Sequence, residues 1–277
     1  MEIKLKNYSF KIDPGQNKHY WEYINATDWE PHTFTIFDYF IHKESNVLDI
    51  GAWSGVLTLY AAKIANKVHA IDPDPICFKE LNTNIKLNPS IAKKIKTYNK
   101  AISDVKETLK LSARDSYGAS SSSILNRKRD TENSLELETL SLIDFIESTG
   151  IQEIDFIKMD VEGAEFKILP KIGKTIEKLN HPTLYVSFHY NFLNEHIYAR
   201  KVPFSFLNKL MMRLEMVFGF YVFKNSILKE INNLFSELNS YKYIYNTSGT
   251  LVPFNHLNKN PAMIKNTDLV FTNIEWK

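Results

Sequence analysis

Val47-Leu48-Asp49-Ile50-Gly51-Ala52-Trp53-Ser54-Gly55 is the stretch that decides the fold. Asn46 to Ile50 is a short apolar run closed by a glycine, which predicts a strand buried on both faces. Val56 to Ile64 follows with helical spacing. Lys67 to Ile71 predicts a second strand, closed by Asp72-Pro73-Asp74-Pro75. Ile76 to Leu87 returns to helical spacing, and Ile95 to Ile102 reads as a third strand. Strands alternating with helices imply crossover connections and a parallel sheet.

In a strand–loop–helix unit of this kind a ligand binds beyond the carboxyl end of the strand. The helix that follows opens with unpaired N–H groups, and glycine lets a ligand approach the backbone. The chain has only nine glycines, and two of them, Gly51 and Gly55, lie in this loop. Asp72, 17 residues after Gly55, ends the next strand, where an acid accepts hydrogen bonds from ribose hydroxyls. The loop does not match the glycine spacing of a dinucleotide site and lacks the terminal Gly-Lys-Ser/Thr of a P-loop. With Asp49 ahead of the first glycine, facing a ligand ammonium group, S-adenosylmethionine is the nucleoside cofactor that fits.

Working outward, the 277 residues are 44% hydrophobic and 24% charged, which excludes a mainly disordered chain. The 34 basic and 32 acidic side chains nearly balance, at a formal charge of +2. That balance argues against nucleic acid as a partner and against a protein that coats anionic membranes. Cys77 is the sole cysteine, so no internal disulfide forms, and no Cys/His zinc spacing exists. The start, Met1 to Phe10, has no apolar core of a secretory signal, and no run of about 18 apolar residues predicts a membrane span. The expected location is the cytoplasm.

The expected organisation is a single domain over residues 1–277, with an N-terminal segment, 1–45, and a helical insertion at about 191–236. Thr33 to His42 has helical spacing. Thr108 to Leu111 predicts a short strand, Ser112 to Glu132 a polar loop containing Ser120 to Ser123, and Glu138 to Ile146 a strand end leading into a helix. Ile154 to Met159 is a strong strand, Ala164 to Leu179 a helix and Thr183 to Phe188 another strand. Within the insertion, Phe204 to Val217 and Ser226 to Leu238 read as helices flanking Gly219 to Phe223. The segment reads either as an amphipathic pair on the sheet edge or as a lid over the acceptor. Tyr241 to Asn246 and Leu269 to Thr272 resume the sheet. Arg127, Lys128 and Arg129 form a charge run that suits solvent, or the phosphates of a nucleotide-linked sugar.

The second informative stretch is Ile154-Asp155-Phe156-Ile157-Lys158-Met159-Asp160-Val161-Glu162-Gly163-Ala164-Glu165. Asp160 stands at the mouth of a buried strand, where a carboxylate is costly without a partner. Asp160 and Glu162 point the same way if the strand continues. Glu165 is assigned to the helix start, where the macrodipole stabilises acids.

These pieces, VLDIGAWSG, AIDPDP, AISD and IDFIKMDVEGAEFKIL, resemble the FkbM family of S-adenosylmethionine-dependent methyltransferases. The resemblance is firm over Asn46 to Pro170 and looser in the terminal strands. It implies an α/β, Rossmann-like class I methyltransferase fold: seven strands, mostly parallel, with the last strand antiparallel. It also implies O-methyl transfer, commonly to sugars or polyketide-like natural products; the leading expectation is a sugar hydroxyl, in a nucleotide-linked sugar or a surface-glycan precursor. Other natural products, RNA or protein acceptors and a non-catalytic module with the same fold are the alternatives. Carried over by position, Asp49, Gly51, Ala52 and Gly55 form the methionine-end loop. Asp72 takes the ribose, Ala101 and Ile102 border the adenine, and Asp160 faces the reacting centre. Trp53 departs from the asparagine common in the family. His189, ending the strand beside that of Asp160, is the candidate base in its neutral form. Asp160, Glu162 and His189 together are also a candidate set for a divalent metal.

Overall fold

The computed structural model describes residues 1–113, 116–119, 122–125, 134–202, 204–218, 222–257 and 265–277, and within them every side chain except those of Ser205, Asn208, Lys209, Met216, Lys265 and Asn266. The charge run at 127–129 and parts of 120–123 and 219–223 lie outside the described residues.

The chain opens with a hairpin, β1 (Glu2–Leu5) and β2 (Tyr8–Lys11), and two helices, α1 (Lys18–Ala26) and α2 (Pro31–Phe40). The deciding stretch then forms β3 (Asn46–Ile50) and α3 (Val56–Ile64). After it come β4 (Lys67–Ile71), α4 (Pro75–Lys86), α5 (Pro89–Ala92) and β5 (Ile95–Tyr98). Asp74 caps α4 by accepting from the N–H groups of Ile76 and Cys77, and Pro75 takes the first helical position.

The third strand stops at Tyr98 and does not run to Ile102 as its apolar pattern predicts. Asn99 Nδ2 donates to the carbonyls of Asp72 and Pro73, at 2.8 and 3.1 Å, and the chain leaves the sheet there. It enters a separate three-stranded sheet of β6 (Ala101–Ser103), β7 (Thr108–Ser112) and β8 (Ser134–Ser141), in the order β6, β8, β7.

The remaining elements are α6 (Leu142–Thr149), β9 (Phe156–Met159), α7 (Glu165–Ile168), α8 (Gly173–Lys178), β10 (Thr183–His189), α9 (Tyr190–Lys201), α10 (Ser205–Phe218), α11 (Lys224–Ser236), β11 (Tyr243–Asn246), α12 (Phe254–Leu257) and β12 (Lys265–Thr272). The helix expected over Ala164 to Leu179 is thus two short helices, joined by a 3-10 turn at Leu169–Lys171 that contains Pro170.

The main sheet has seven strands in the order β11, β12, β10, β9, β3, β4, β5. Every pairing is parallel except those of β12, which runs against both its neighbours. This is the sheet implied by the resemblance, reversed last strand included. Alternate residues feed two cores: Leu48, Ile157 and Met159 face the side of α6, α8 and α11, while Val47, Phe156 and Tyr185 face the N-terminal elements and α3.

The segment 191–236, expected to be a helical insertion, is divided in its packing. On α11, Ile227, Ile231, Leu234 and Phe235 are fully buried in the first of these cores, so that helix is structural. By contrast, α10 leaves Phe206, Val217 and Phe218 exposed. No helix among the described residues is long and apolar enough to cross a membrane.

Candidate functional site

The parallel strands deliver their carboxyl ends to one edge of the sheet, and two cavities open there. The first, about 690 Å³ including its open mouth, lies between Ile50, Ile71, Ala101, Ile102, Leu111 and Ile124, with Asp72 in its wall. The second, about 800 Å³ including its open mouth, is lined by Tyr20, Trp29, Glu30, Lys158, Asp160, Glu162, His189 and Asp268, among others. Gly51, Trp53, Asp160 and Glu162 line both, so the two compartments meet at these four residues.

Asp72 is buried, and both its oxygens are engaged: Oδ2 accepts from the Trp53 N–H at 2.8 Å and Oδ1 from the Asp74 N–H at 2.9 Å. Burial pushes its carboxyl up to about 7, against the pull of those two N–H groups. Each oxygen keeps a further lone pair for a hydroxyl donor.

The first cavity is roofed by the segment around Gly118 and Ser122. Asp74 Oδ2 accepts from Gly118 N–H and Ser122 Oγ–H, both at 2.9 Å. The Gly118 carbonyl accepts from Trp53 Nε1 and Asn17 Nδ2, each at 2.9 Å, and the Tyr117 carbonyl accepts from Gln16 Nε2. Trp53 stacks on Trp21 at 5.6 Å between ring centres. The residue that departs from the family's asparagine therefore ties α1 and the roof to the loop after β3.

The two loop glycines answer to the fold before any ligand. Gly51 has φ +85°, and a Cβ there would lie 1.7 Å from the carbonyl oxygen of Asp160. Gly55 has φ +101° and packs on Leu81; it begins α3 and lines neither cavity. Ala52 lines the second cavity only.

Asp49 also lines neither. It lies in register with Lys158 across the β3–β9 pair. Its Oδ2 accepts from Thr58 Oγ1 at 2.5 Å, and its Oδ1 stands 3.4 Å from the Lys158 ammonium. Lys158, almost fully buried, donates to the Gly51 carbonyl at 2.8 Å and reaches Asp160 at 3.6 Å. Burial alone would lower the Lys158 pKa, but Asp49, Asp160 and Glu30 together raise it, so it stays charged. Asp49, expected to face a ligand ammonium group, is thus placed as the counter-ion of Lys158 beneath the loop, outside the lining of both cavities.

β9 ends at Met159, so Asp160 and Glu162 converge through a turn and not along a strand; Glu162 takes φ +54°. Both reach His189 Nε2 at 3.6 Å. The other ring nitrogen, Nδ1, lies 2.9 Å from Glu165 Oε1. A carboxylate only accepts, so Nδ1 carries the hydrogen. Phe192 stacks on the ring. Burial, the largest single influence, pulls the His189 pKa down, yet Glu165, Asp160 and Glu162 outweigh it and push it up to about 10. In the free protein the ring is an imidazolium at neutral pH, contrary to the neutral base expected from its position alone.

Sequence reasoning missed two residues here. Glu165 does open a helix, but it is fully buried, and its Oε1 also accepts from the Val161 N–H at 3.0 Å. Lys158 was readable as a lysine inside an apolar strand two residues before Asp160. Asp72, Ala101, Ile102, Gly51 and Asp160 all line the first cavity.

The family described as the methyltransferase FkbM domain matches residues 49–243. An uncharacterized protein of Methanocaldococcus jannaschii, MJ1452, is 38% identical over 72 residues, 24% of this chain and 27% of that protein. Ribosomal protein L11 methyltransferase of Ruminiclostridium cellulolyticum is 38% identical over 72 residues, 26% of this chain and 22% of that one. The chain therefore spans about a quarter of the length of these curated relatives. Among solved structures, methyltransferase FkbM from Methylobacillus flagellatus KT is 19% identical, covering 53% of this chain and 33% of that chain at a TM-score of 0.38.

Proposed function

The chain belongs to the FkbM methyltransferase family, and from that premise we propose that it methylates a hydroxyl of a sugar, in a nucleotide-linked sugar or a surface-glycan precursor, with S-adenosylmethionine as donor. The observation that carries the reading is the junction of two unlike compartments at Gly51, Trp53, Asp160 and Glu162. The first has apolar walls for a flat base and a buried carboxylate for a diol. The second has carboxylates that accept from hydroxyls, and the aromatic side chains of Tyr20, Trp29 and Trp53 for a sugar ring. The donor set fits the cofactor: Asp72 for ribose hydroxyls, Ala101 and Ile102 beside the base, Asp160 for positive charge. When bound, S-adenosylmethionine supplies a methyl group already activated on a sulfonium sulfur.

The protein's remaining work is to position the acceptor, exclude water and receive a proton. The roof held by Asp74 and Trp53 excludes water from the first compartment. Asp160 and Glu162, at the junction, are placed to orient the acceptor hydroxyl and take its proton. His189 holds both carboxylates in place. The second compartment is rich in carboxylates, so a sugar ring fits inside it while any phosphate stays outside. The reading puts the enzyme in the cytoplasm, supported by its single, buried thiol, Cys77.

Calorimetry with S-adenosylhomocysteine tests the cofactor half. A dissociation constant in the micromolar range, about −8 kcal/mol, is expected. Asp72→Ala should weaken it by about 1–3 kcal/mol, since two hydroxyls lose their acceptor. No binding by the wild-type protein would end the methyltransferase reading. Labelled methyl transfer to a panel of nucleotide sugars then tests the acceptor.

The Asp72 carboxyl also sets a pH dependence. Burial holds it up at about 7 in the free protein. Hydroxyl donors favour the ionised form, so binding lowers that pKa and releases a proton. Affinity should therefore rise between pH 6 and pH 8 and level off above. In Asp72→Ala the trend should vanish; a trend that persists there would assign it to another group.

A further inference from the structure

We propose that Asp160, Glu162 and His189 form a divalent-cation site of the Mn²⁺ class that grips an acceptor through two adjacent oxygens. The inference deepens the methyl-transfer reading and rests on it for the identity of the acceptor. One ligand atom from each of the three residues lies within 4.8 Å of the other two, and both carboxylates stand 3.6 Å from His189 Nε2. Ligands cis to one another on an ion with bonds of about 2.1 Å are about 3 Å apart, so small side-chain adjustments close the set.

The surroundings supply an independent observation. Glu165 is wholly buried, and its Oε2 has no hydrogen-bond partner. Its Oε1 holds the hydrogen on His189 Nδ1, so the proton that an ion would displace is the one on Nε2, which faces Asp160 and Glu162. A buried carboxylate behind a ligating histidine is the usual way a metal-binding imidazole is held in one tautomer and orientation.

Two carboxylate oxygens and one imidazole nitrogen suit Mn²⁺ better than Mg²⁺, which prefers oxygen alone, or Zn²⁺ in a closed tetrahedron. Three protein ligands on one side leave an octahedral ion open on the other, towards the aromatic-lined compartment. Two neighbouring hydroxyls of one ring span adjacent open positions. The substrate class is thus narrowed to an acceptor with a vicinal diol, one of whose oxygens is methylated.

The test is titration of the full-length, metal-free protein with Mn²⁺ alone, read by loss of the free-ion electron paramagnetic resonance signal. One ion per chain is expected, with affinity falling ten- to a hundredfold in Glu162→Gln and in Asp160→Asn. Glu30→Gln removes a charge from the same compartment without removing a ligand and should change affinity less than threefold. Absence of stoichiometric binding would overturn the site. So would equal weakening by Glu30→Gln and Glu162→Gln, which would mean diffuse attraction. Titration with S-adenosylhomocysteine in the presence of chelator is read separately. Its failure would remove the methyltransferase reading, while failure of Mn²⁺ binding alone would remove only the metal.

Discussion

Replacing Lys158 by methionine is expected to cost roughly 3–5 kcal/mol of folding stability, read as a lower midpoint in urea. The lysine is the sole cation in contact with Asp49 among the described residues, and that carboxylate is almost wholly buried. Removing one partner of a buried pair leaves the other charge without compensation, which is far worse than removing both. The substitution also takes the ammonium donor from the Gly51 carbonyl, at the point where the loop after β3 touches β9. A double variant, Asp49→Asn with Lys158→Met, should recover much of the loss, because the amide can still accept from Thr58 and no charge stays buried. A loss below about 1 kcal/mol in the single variant would mean that water or a rearranged side chain compensates Asp49, and the loop would have to be held by other contacts.

That network marks the limit of what the chain alone discloses. The central strands are legible because a parallel strand covered on both faces must be apolar throughout, as Val47 to Ile50 and Phe156 to Met159 nearly are. Lys158 interrupts such a run, and only the register of β3 against β9, which sets it opposite Asp49, gives it a meaning. The end of the third strand is equally a tertiary effect. Asn99-Lys100, two polar residues in succession, is the only local mark of a break between Ile95 and Ile102, and the break itself is held by Asn99 reaching back to Asp72 and Pro73. Glu165 carries a true local signal, an acid in the first turn of a helix, that hides its second role towards His189. The N-terminal hairpin is absent from the sequence reading: Ile3, Leu5, Phe10 and Ile12 are buried in alternation, but each strand has only four residues, too few to establish a period. Most of the cofactor compartment follows from the order strand, loop, helix, strand, acid. The second compartment collects Tyr20, Trp29, Lys158, His189 and Asp268 from five distant segments, which no spacing rule connects.

His189→Gln is expected to lower kcat by about 10²–10⁴ while the dissociation constant for S-adenosylhomocysteine changes less than threefold. Nε2 is the atom that faces both carboxylates at the junction of the compartments, whereas the cofactor compartment does not include His189. Glutamine is chosen over alanine because its amide can still donate to Glu165, whose buried carboxylate would otherwise keep only the Val161 N–H. An unchanged melting temperature and an unchanged cofactor affinity would confirm that the variant is folded. The loss should lie in kcat and not in KM alone, since the ring organises the reacting centre more than it binds the rest of the acceptor. Glu165 is a positioning residue in this scheme, acting through the ring. Glu165→Gln keeps an acceptor for the Nδ1 hydrogen, so it should retain more activity than His189→Gln while weakening Mn²⁺ binding. If His189→Gln keeps more than about a tenth of the wild-type kcat, the imidazole lies outside the chemistry. Asp160 and Glu162 would then have to orient the acceptor and take its proton without it, leaving positioning to supply the rest.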